Sequence, residues 1–436
     1  MKKLFLKLLQ WKLKILARAT IARYSPGVVG VTGSVGKTST KEAIRTVLEK
    51  ERRVRAPSKN FNNELGLPLV ILGDWKSTDG FFFWPRVILA ALWQLMVKNK
   101  NYPEILVLEY AVDRPGDMKY LLDIVRPHIG IFTAMGEIPV HVEYFTGPDA
   151  VMREKARLIS QLPATGFAIL NADDPLVMEA KAQTRAQVIT FGFEDRADVR
   201  VSNFTNRFDG TSGGVGCKLG YSGSMVPVRI ENALGKSQAY AAAAAAATGL
   251  IFGMNLVKIA EALASYEAPA GRLKLIQGIK DTFIIDDTYN AAPASMSVAL
   301  DTLKSLNAKR KVAVLGDMLE LGKYTLEAHE GLGKSLKKRG VDLLITVGIR
   351  GKLIAEAAIR GGLSEKAVAT FMNVGEAGKF LQSKIQKGDL ILVKGSQGVR
   401  LEKVVEEVMA EPSRARTFLA RQNDEWLKRP GLYTEE

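Results

Sequence analysis

Cysteine is almost absent from this chain: Cys217 is the only one in 436 residues, and there are only three histidines. One thiol excludes an internal disulfide framework and fits a reducing compartment. With so few thiols and imidazoles, no zinc cluster of ordinary spacing can be assembled. No uninterrupted apolar run reaches the roughly 20 residues that cross a bilayer. Acidic residues are missing from the first 41 positions, the first being Glu42. Internal repeats and low-complexity tracts are also lacking.

What is present is a soluble composition, 47% hydrophobic and 25% charged, in a chain long enough for two or three domains. The formal charge of +15 fits nucleic acid, an anionic membrane surface or a polyanionic small substrate. Aromatic residues interleaved with a basic stripe, as single-strand binders use, are not evident beyond the N-terminus, so nucleic acid is not expected. The charge is concentrated at the front, where Lys2, Lys3, Lys7, Lys12, Lys14, Arg18 and Arg23 alternate with Leu4, Phe5, Leu8, Leu9, Trp11, Leu13, Ile15 and Leu16. At about 100° per residue, Lys3, Lys7, Lys14 and Arg18 share one narrow sector of a helix. Such a helix suits the cytoplasmic face of a membrane. The plainer alternative is a helix packed on the protein's own body, its lysines reaching out to water. A second apolar stretch, from Phe81 to Val97, is too short to span and is expected as a buried helix, with a surface-seeking one as the alternative.

The pattern divides into a basic amphipathic helix (1–25), a central α/β domain (26–271), a second α/β domain (272–412) and a mixed-charge tail (413–436). In the central domain, strands are expected at 28–32, 105–108, 129–133, 168–171 and 188–191, and helices at 37–50 and from 149. Gly/Ser-rich alternation over 198–230 predicts antiparallel hairpins. The alanine-rich 237–247 predicts a helix whose role is close packing. In the second domain, strands are expected at 283–286, 312–315, 343–347 and 390–393, separated by helical patterns.

The strongest local signal is Thr32-Gly33-Ser34-Val35-Gly36-Lys37-Thr38, between a buried strand and a helix. Glycines let the backbone curl so that its N–H groups face phosphate oxygens, and the helix N-terminus adds positive potential. Lys37 suits the β- and γ-phosphates of a nucleotide and the Thr38 hydroxyl suits Mg²⁺. The strict phosphate-loop pattern fails, because Val31 stands where its first glycine belongs.

This shorter loop resembles that of the Mur ligase family, and further segments follow in the family's order. They are Asn60-Phe61-Asn62-Asn63-Glu64-Leu65-Gly66-Leu67-Pro68, Leu108-Glu109-Tyr110-Ala111, the loop 136–145 with His141-Val142-Glu143, Lys155, and Asn171-Ala172-Asp173-Asp174-Pro175. Asp286-Asp287-Thr288-Tyr289-Asn290-Ala291-Ala292-Pro293-Ala294-Ser295-Met296, Val314-Leu315-Gly316-Asp317-Met318-Leu319-Glu320-Leu321-Gly322 with His329, and Val393-Lys394-Gly395-Ser396 with Arg400 resemble the MurF branch of that family. The resemblance runs from about Gly27 to Val408. It implies a phosphate-loop central domain joined to a C-terminal Rossmann-like α/β domain. It also implies ATP-dependent amide-bond formation through an acyl phosphate, adding D-alanyl-D-alanine to a muramyl peptide for peptidoglycan.

The resemblance implies that Gly33, Ser34, Val35, Gly36, Lys37, Thr38 and Ser39 contact ATP, with Arg272, Asp287 and Asn290 arriving from the second domain. Thr38, Glu109, His141 and a carbamate on Lys155 would hold Mg²⁺, since hard oxygen donors suit it. Lys37, His141 and Lys155 would carry the chemistry, and Asn62, Asn63, Lys394 and Ser396 would meet the substrates. The expected setting is the cytoplasm, at most peripheral on the inner membrane face, with a monomer as the expected state.

Three departures stand against the family pattern. Residues 1–32 precede the phosphate loop where the MurF branch has a domain that grips UDP, so that domain is expected to be absent, with the basic helix in its place. Such a helix would act by holding a lipid-linked acceptor near or by binding pyrophosphate. Ala134 replaces an asparagine before the histidine loop, and the gap from Gly136 to His141 is longer than usual. Tyr240 stands for an asparagine in the alanine-rich helix. Two alternatives therefore stay open. One is a related ligase on a lipid-linked, folyl or polyglutamyl carboxylate; the other is a membrane-associated nucleotide-binding protein without catalysis.

Overall fold

A computed structural model describes residues 2–57, 61–75 and 82–433; Asn60, Phe81 and the side chains of Lys2 and Lys3 lie outside the described residues. The first sheet holds β1 (Gly27–Thr32), β2 (Val54–Arg55), β3 (Ile105–Glu109), β4 (Ile129–Phe132), β5 (Phe167–Asn171), β6 (Gln187–Gly192), β7 (Val199–Phe208), β8 (Gly213–Tyr221) and β9 (Ser224–Glu231). Their spatial order is β2-β3-β1-β4-β5-β6-β7-β8-β9, parallel through β7 and antiparallel from β7 to β9. The parallel strands are covered on both faces, which is why β1 and β3 read as unbroken apolar runs. By contrast β7 alternates buried and open positions, as a half-solvated sheet does.

The second sheet holds β10 (Lys274–Gly278), β11 (Thr282–Asp286), β12 (Arg310–Gly316), β13 (Leu343–Val347), β14 (Val368–Phe371) and β15 (Asp389–Lys394), in the order β10-β11-β15-β12-β13-β14. All pairs are parallel except β10 with β11. The short edge strands β2, β10 and β14 carry too little apolar signal to be read from sequence; β14, for example, has no fully buried residue.

Among the helices, α1 (Lys2–Tyr24), α2 (Lys37–Leu48), α3 (Gly66–Leu72), α4 (Phe83–Met96), α5 (Asp117–Ile124), α6 (Pro148–Ser160), α7 (Pro175–Met178), α8 (Lys236–Ile251) and α9 (Leu256–Leu263) belong to the first half. The alanines of α8 are fully buried, and their small side chains let α8 lie close to α2 in the largest apolar cluster. In α1, Leu9, Leu13 and Ala17 are buried, and Leu9 and Leu13 pack with Phe83, Val87 and Ala91 of α4. The expectation that α4 is simply buried fails on its other side, where Leu89, Leu92, Trp93 and Met96 face outward.

The tail is not an inert appendage. Arg400, itself buried, donates from Nη1 to the carbonyls of Trp426 at 3.0 Å and Arg429 at 2.8 Å. Leu432 N donates to Gly398 O at 2.9 Å, and the Tyr433 hydroxyl donates to Asp317 Oδ2 at 2.7 Å. The tail thus lies along the carboxyl edge of the second sheet.

Candidate active site

The carboxyl ends of β1, β3 and β4 open on one crevice, the place where parallel α/β sheets bind ligands. β1 ends at Thr32 and the chain turns through Gly33, at φ 140°, and Gly36, at φ 87°. A side chain at Gly33 would meet Thr133 Oγ1 at 2.1 Å, so the loop can pass β4 only as glycine. Gly36 caps α2 with no side-chain hydrogen bond to its first turn. Those amides are therefore left for an anion, at the positive end of the helix. Lys37 folds back over the loop, its Nζ donating to Gly33 O at 2.8 Å. Burial lowers its pKa, while Glu109 opposes the shift.

Glu109, at the end of β3 and 4% exposed, is the hub. Its Oε2 accepts from Thr38 Oγ1 at 3.3 Å and its Oε1 from Asn62 Nδ2 at 3.3 Å. Burial would raise its pKa, but Lys37, Lys41, Arg272 and the Asn62 hydrogen bond together hold it below the ordinary value. Asn63 instead closes the turn leading into α3, its Oδ1 accepting from Gly66 N at 2.9 Å.

Lys155 stands on α6 and is 1% exposed. Burial, reinforced by the Lys37 charge, lowers its pKa to about 7, against the pull of Asp113 and Glu109. Its neighbour Glu154 fixes α6 by accepting from Gly116 N at 3.0 Å and Met118 N at 3.1 Å, at the start of α5. A lysine kept near neutrality in a cleft marks a functional candidate.

His141 has φ 68°. Its ring lies between two carboxylates, Nε2 3.2 Å from Asp113 Oδ1 and Nδ1 2.7 Å from Glu320 Oε2. Asp113 belongs to the first half and Glu320 to the second, so the histidine bridges the two sheets' loops. The ring's partners are these two carboxylates rather than Thr38, Glu109 or Lys155. Among the described residues, no three His, Cys, Asp or Glu side chains gather as a ready metal site.

From the second sheet come Asp287 and Lys394, whose Nζ and Oδ2 lie 2.6 Å apart. Burial pushes Asp287 up and Lys394 down, and their contact holds part of each charge. Lys394 also donates to Asn290 O at 2.9 Å. Ser396 Oγ accepts from Leu319 N at 2.9 Å and lies 3.4 Å from Ala291 O. Arg272 crosses the boundary: its guanidinium stacks on the Tyr289 ring at 3.7 Å, and Nη2 lies 3.3 Å from Thr38 Oγ1.

Residues 31–82 and 89–249 match the Mur ligase middle domain, and 271–397 match the Mur ligase glutamate ligase domain. UDP-N-acetylmuramoyl-tripeptide–D-alanyl-D-alanine ligase of Bacillus subtilis is 30% identical over 401 residues, covering 92% of this chain and 79% of that protein. The chain belongs to the Mur ligase family. The enzyme of the same name from Synechocystis is 32% identical over 390 residues, 89% of this chain and 76% of the relative. The MurF ligase from Thermotoga maritima in complex with ADP superimposes with a TM-score of 0.75 at 28% identity, over 91% of this chain and 83% of that one. Folylpolyglutamate synthase from Mycobacterium tuberculosis shares the fold, with a TM-score of 0.63 at 17% identity.

Within this Mur ligase, sequence reading overlooked Arg421 and Glu402. Arg421 donates from Nη2 to Thr288 O at 2.6 Å and from Nη1 to Tyr289 O at 2.9 Å, and Nη2 pairs with Glu402 at 2.7 Å. Arg400 contacts the same carboxylate. Nothing in the mixed-charge tail marks Arg421; only the fold returns it to the Asp286–Asn290 loop. Tyr240 fills its unusual position by donating to Asp173 Oδ2 at 2.6 Å. Asp173 in turn accepts from Phe193 N at 2.7 Å, so the Asn171–Pro175 segment joins neighbouring loops.

Proposed function

We propose that the chain is an ATP-dependent, ADP-forming ligase that joins D-alanyl-D-alanine to the terminal carboxylate of UDP-N-acetylmuramoyl-tripeptide in peptidoglycan synthesis. The observation that carries this reading is the buried pair Glu109 and Lys155 with half-buried Lys37 at the uncapped start of α2, reached from the second half by Arg272. The names of the relatives supply the substrates; the charges supply the chemistry.

In the reaction, a carboxylate oxygen of the peptide attacks the γ-phosphorus of ATP, ADP leaves, and an acyl phosphate forms. The amine of the dipeptide then attacks the acyl carbon, phosphate departs, and the amine's proton goes to solvent or a nearby base. Lys37 and the first-turn amides of α2 hold the phosphates where charge builds up. The hard oxygens of Thr38 and Glu109 fit a magnesium ion, which when bound neutralises phosphate charge. Lys155, near neutrality, is competent to add carbon dioxide as a carbamate, releasing a proton and becoming an oxygen donor. His141 would join it only if its ring leaves Asp113 or Glu320. Asn62 orients Glu109, and Arg272, held in the second half with its tip on Thr38, would reach the nucleotide from there. Asn63, Lys394 and Ser396 are assigned to substrate contact, and Asn290 with Asp287 to the nucleotide, through the loops they stabilise. The unpaired Cys217 and the use of ATP support a cytoplasmic setting.

Phosphate release from ATP with Mg²⁺ and D-alanyl-D-alanine, measured with and without the UDP-linked tripeptide, tests the reading. Release that needs both substrates and disappears in Lys37→Ala supports it. Release with another carboxylate alone keeps the ligase and overturns the substrate. Silence with every acceptor, while ATP still binds, overturns catalysis.

A further inference from the structure

Twenty-one large apolar side chains stand exposed among the described residues, and twelve of them lie on α1, α4 and the residues capping α4. On α1, Leu4, Leu8, Trp11 and Ile15 fall on one side at about 100° per residue. That side is opposite the buried Leu9 and Leu13. On α4, Leu89, Trp93 and Met96 are 66%, 63% and 70% exposed, again opposite the buried Val87 and Ala91. Each helix therefore has two apolar faces, and only one is covered. The helices are fastened together at their last turns: Tyr24 donates to Gln94 O at 2.8 Å, and Arg23 Nη2 to Met96 O at 3.2 Å. With their last turns joined, both helices leave an apolar face open to water, and such faces mark interaction surfaces.

The rim of this patch is basic. Lys7, Lys12, Arg18 and Arg23 on α1 and Arg86, Lys98 and Lys100 on or beside α4 are exposed. No acidic residue occurs in α1 or between Gly80 and Pro103. The nearest carboxylates on the inner flank are engaged, Asp123 by Lys14 at 3.0 Å and Glu64 by Gln10 at 3.4 Å. Neither described helix is long and apolar enough to cross a membrane.

We propose that α1 and α4 together form an interfacial docking surface for an anionic lipid bilayer, with Leu8, Trp11, Leu89 and Trp93 entering the headgroup boundary and the lysines and arginines facing lipid phosphates. A second copy of the chain would bring two basic rims together and is disfavoured by that charge. The inner side of α1 contributes Gln10 to a recess of about 250 Å³ that also holds Asn63, Glu64 and Asp113, so the docked helix places one edge of the active crevice beside the bilayer.

Flotation of the full chain with vesicles tests this. Binding is expected to phosphatidylglycerol-containing vesicles, with at least tenfold weaker binding to phosphatidylcholine alone. Leu89→Ser with Trp93→Ser, and separately Leu8→Ser with Trp11→Ser, should each weaken binding about tenfold or more. Reversing Lys7, Lys12 and Arg18 to Glu should weaken it about a hundredfold, since each basic group near such a surface contributes roughly fivefold. ATP turnover in solution, unchanged in these variants, excludes misfolding as the cause. Failure to bind phosphatidylglycerol vesicles, or unchanged binding by the Leu89/Trp93 variant, overturns the proposal. So does a dimer, seen by sedimentation, that the same substitutions split in the absence of vesicle binding.

Discussion

The central half of the molecule has two faces that depart from ordinary burial in opposite directions. At the carboxyl ends of β1 and β3 it buries charge: Glu109 and Lys155 are almost inaccessible, burial lowering the pKa of Lys155 while neighbouring cations hold that of Glu109 below its ordinary value. Along α1 and α4 it exposes leucine, tryptophan and methionine instead. Both arrangements cost stability in the free protein, one through desolvation and the other through wetted apolar area. The crevice contains the groups that could balance its charges, whereas none of the described residues covers the apolar face. A site whose compensation is internal can be read from one chain; a site whose compensation lies in the partner can be read only as an excess.

Substitutions can break this contrast. The largest effect is expected where buried charges interlock. Arg421→Met leaves Glu402 facing Arg400 alone and frees two carbonyls of the Thr288–Tyr289 loop, so urea unfolding should show a loss of about 3–5 kcal/mol. Next comes Lys37→Ala, which should lower turnover by about 10²–10³-fold with folding intact, read by phosphate release.

Lys155→Met sharpens the contrast by separating stability from function. The folded pKa of about 7 lies below the ordinary value of about 10.4, so between these values the unfolded chain holds the extra proton. The residue therefore destabilises the fold fully below about pH 7, and the penalty fades as pH rises toward 10. Lys155→Met should gain about 1–4 kcal/mol in unfolding at neutral pH while abolishing turnover. In the unmodified enzyme, turnover should rise as pH passes 7 and respond to added bicarbonate. An equally stable or weaker Lys155→Met protein would show that the lysine's burial is already compensated. The smallest effect is expected for Trp93→Ser, below about 0.5 kcal/mol in solution, measured by thermal unfolding without lipid.

Much of the crevice was legible because its parts are local. The glycines of the phosphate loop, the strand-end Glu109 and the Asp286–Pro293 segment each carry their geometry within a few residues. His141 was legible as a residue but not in its partners, since Glu320 comes from the other sheet's loops. Arg421 was not legible at all: an arginine in a charged tail reads as solvated until the chain returns to Tyr289. The edge strands β2, β10 and β14 escaped because short, half-open strands lack a continuous apolar signal. For α4, hydrophobicity led to burial with a surface-seeking helix as the alternative, and the structure gives it one face of each kind.

The link between the two sheets has a mechanical consequence. Arg272 is flanked by Gly271 at φ 70° and Leu273 at φ 52°, and a side chain at Gly271 would meet Tyr289 N at 2.9 Å. Gly271 N is also tied to Asp286 Oδ2 at 3.0 Å, and Leu273 N to Asp287 Oδ1 at 3.2 Å. The arginine is thus set rigidly into the second half, like a pawl on its wheel, with its tip resting on Thr38 in the first. Any swing of that half must carry the guanidinium toward or away from Thr38 with it, so that the relative position of the two halves is registered at a single tooth.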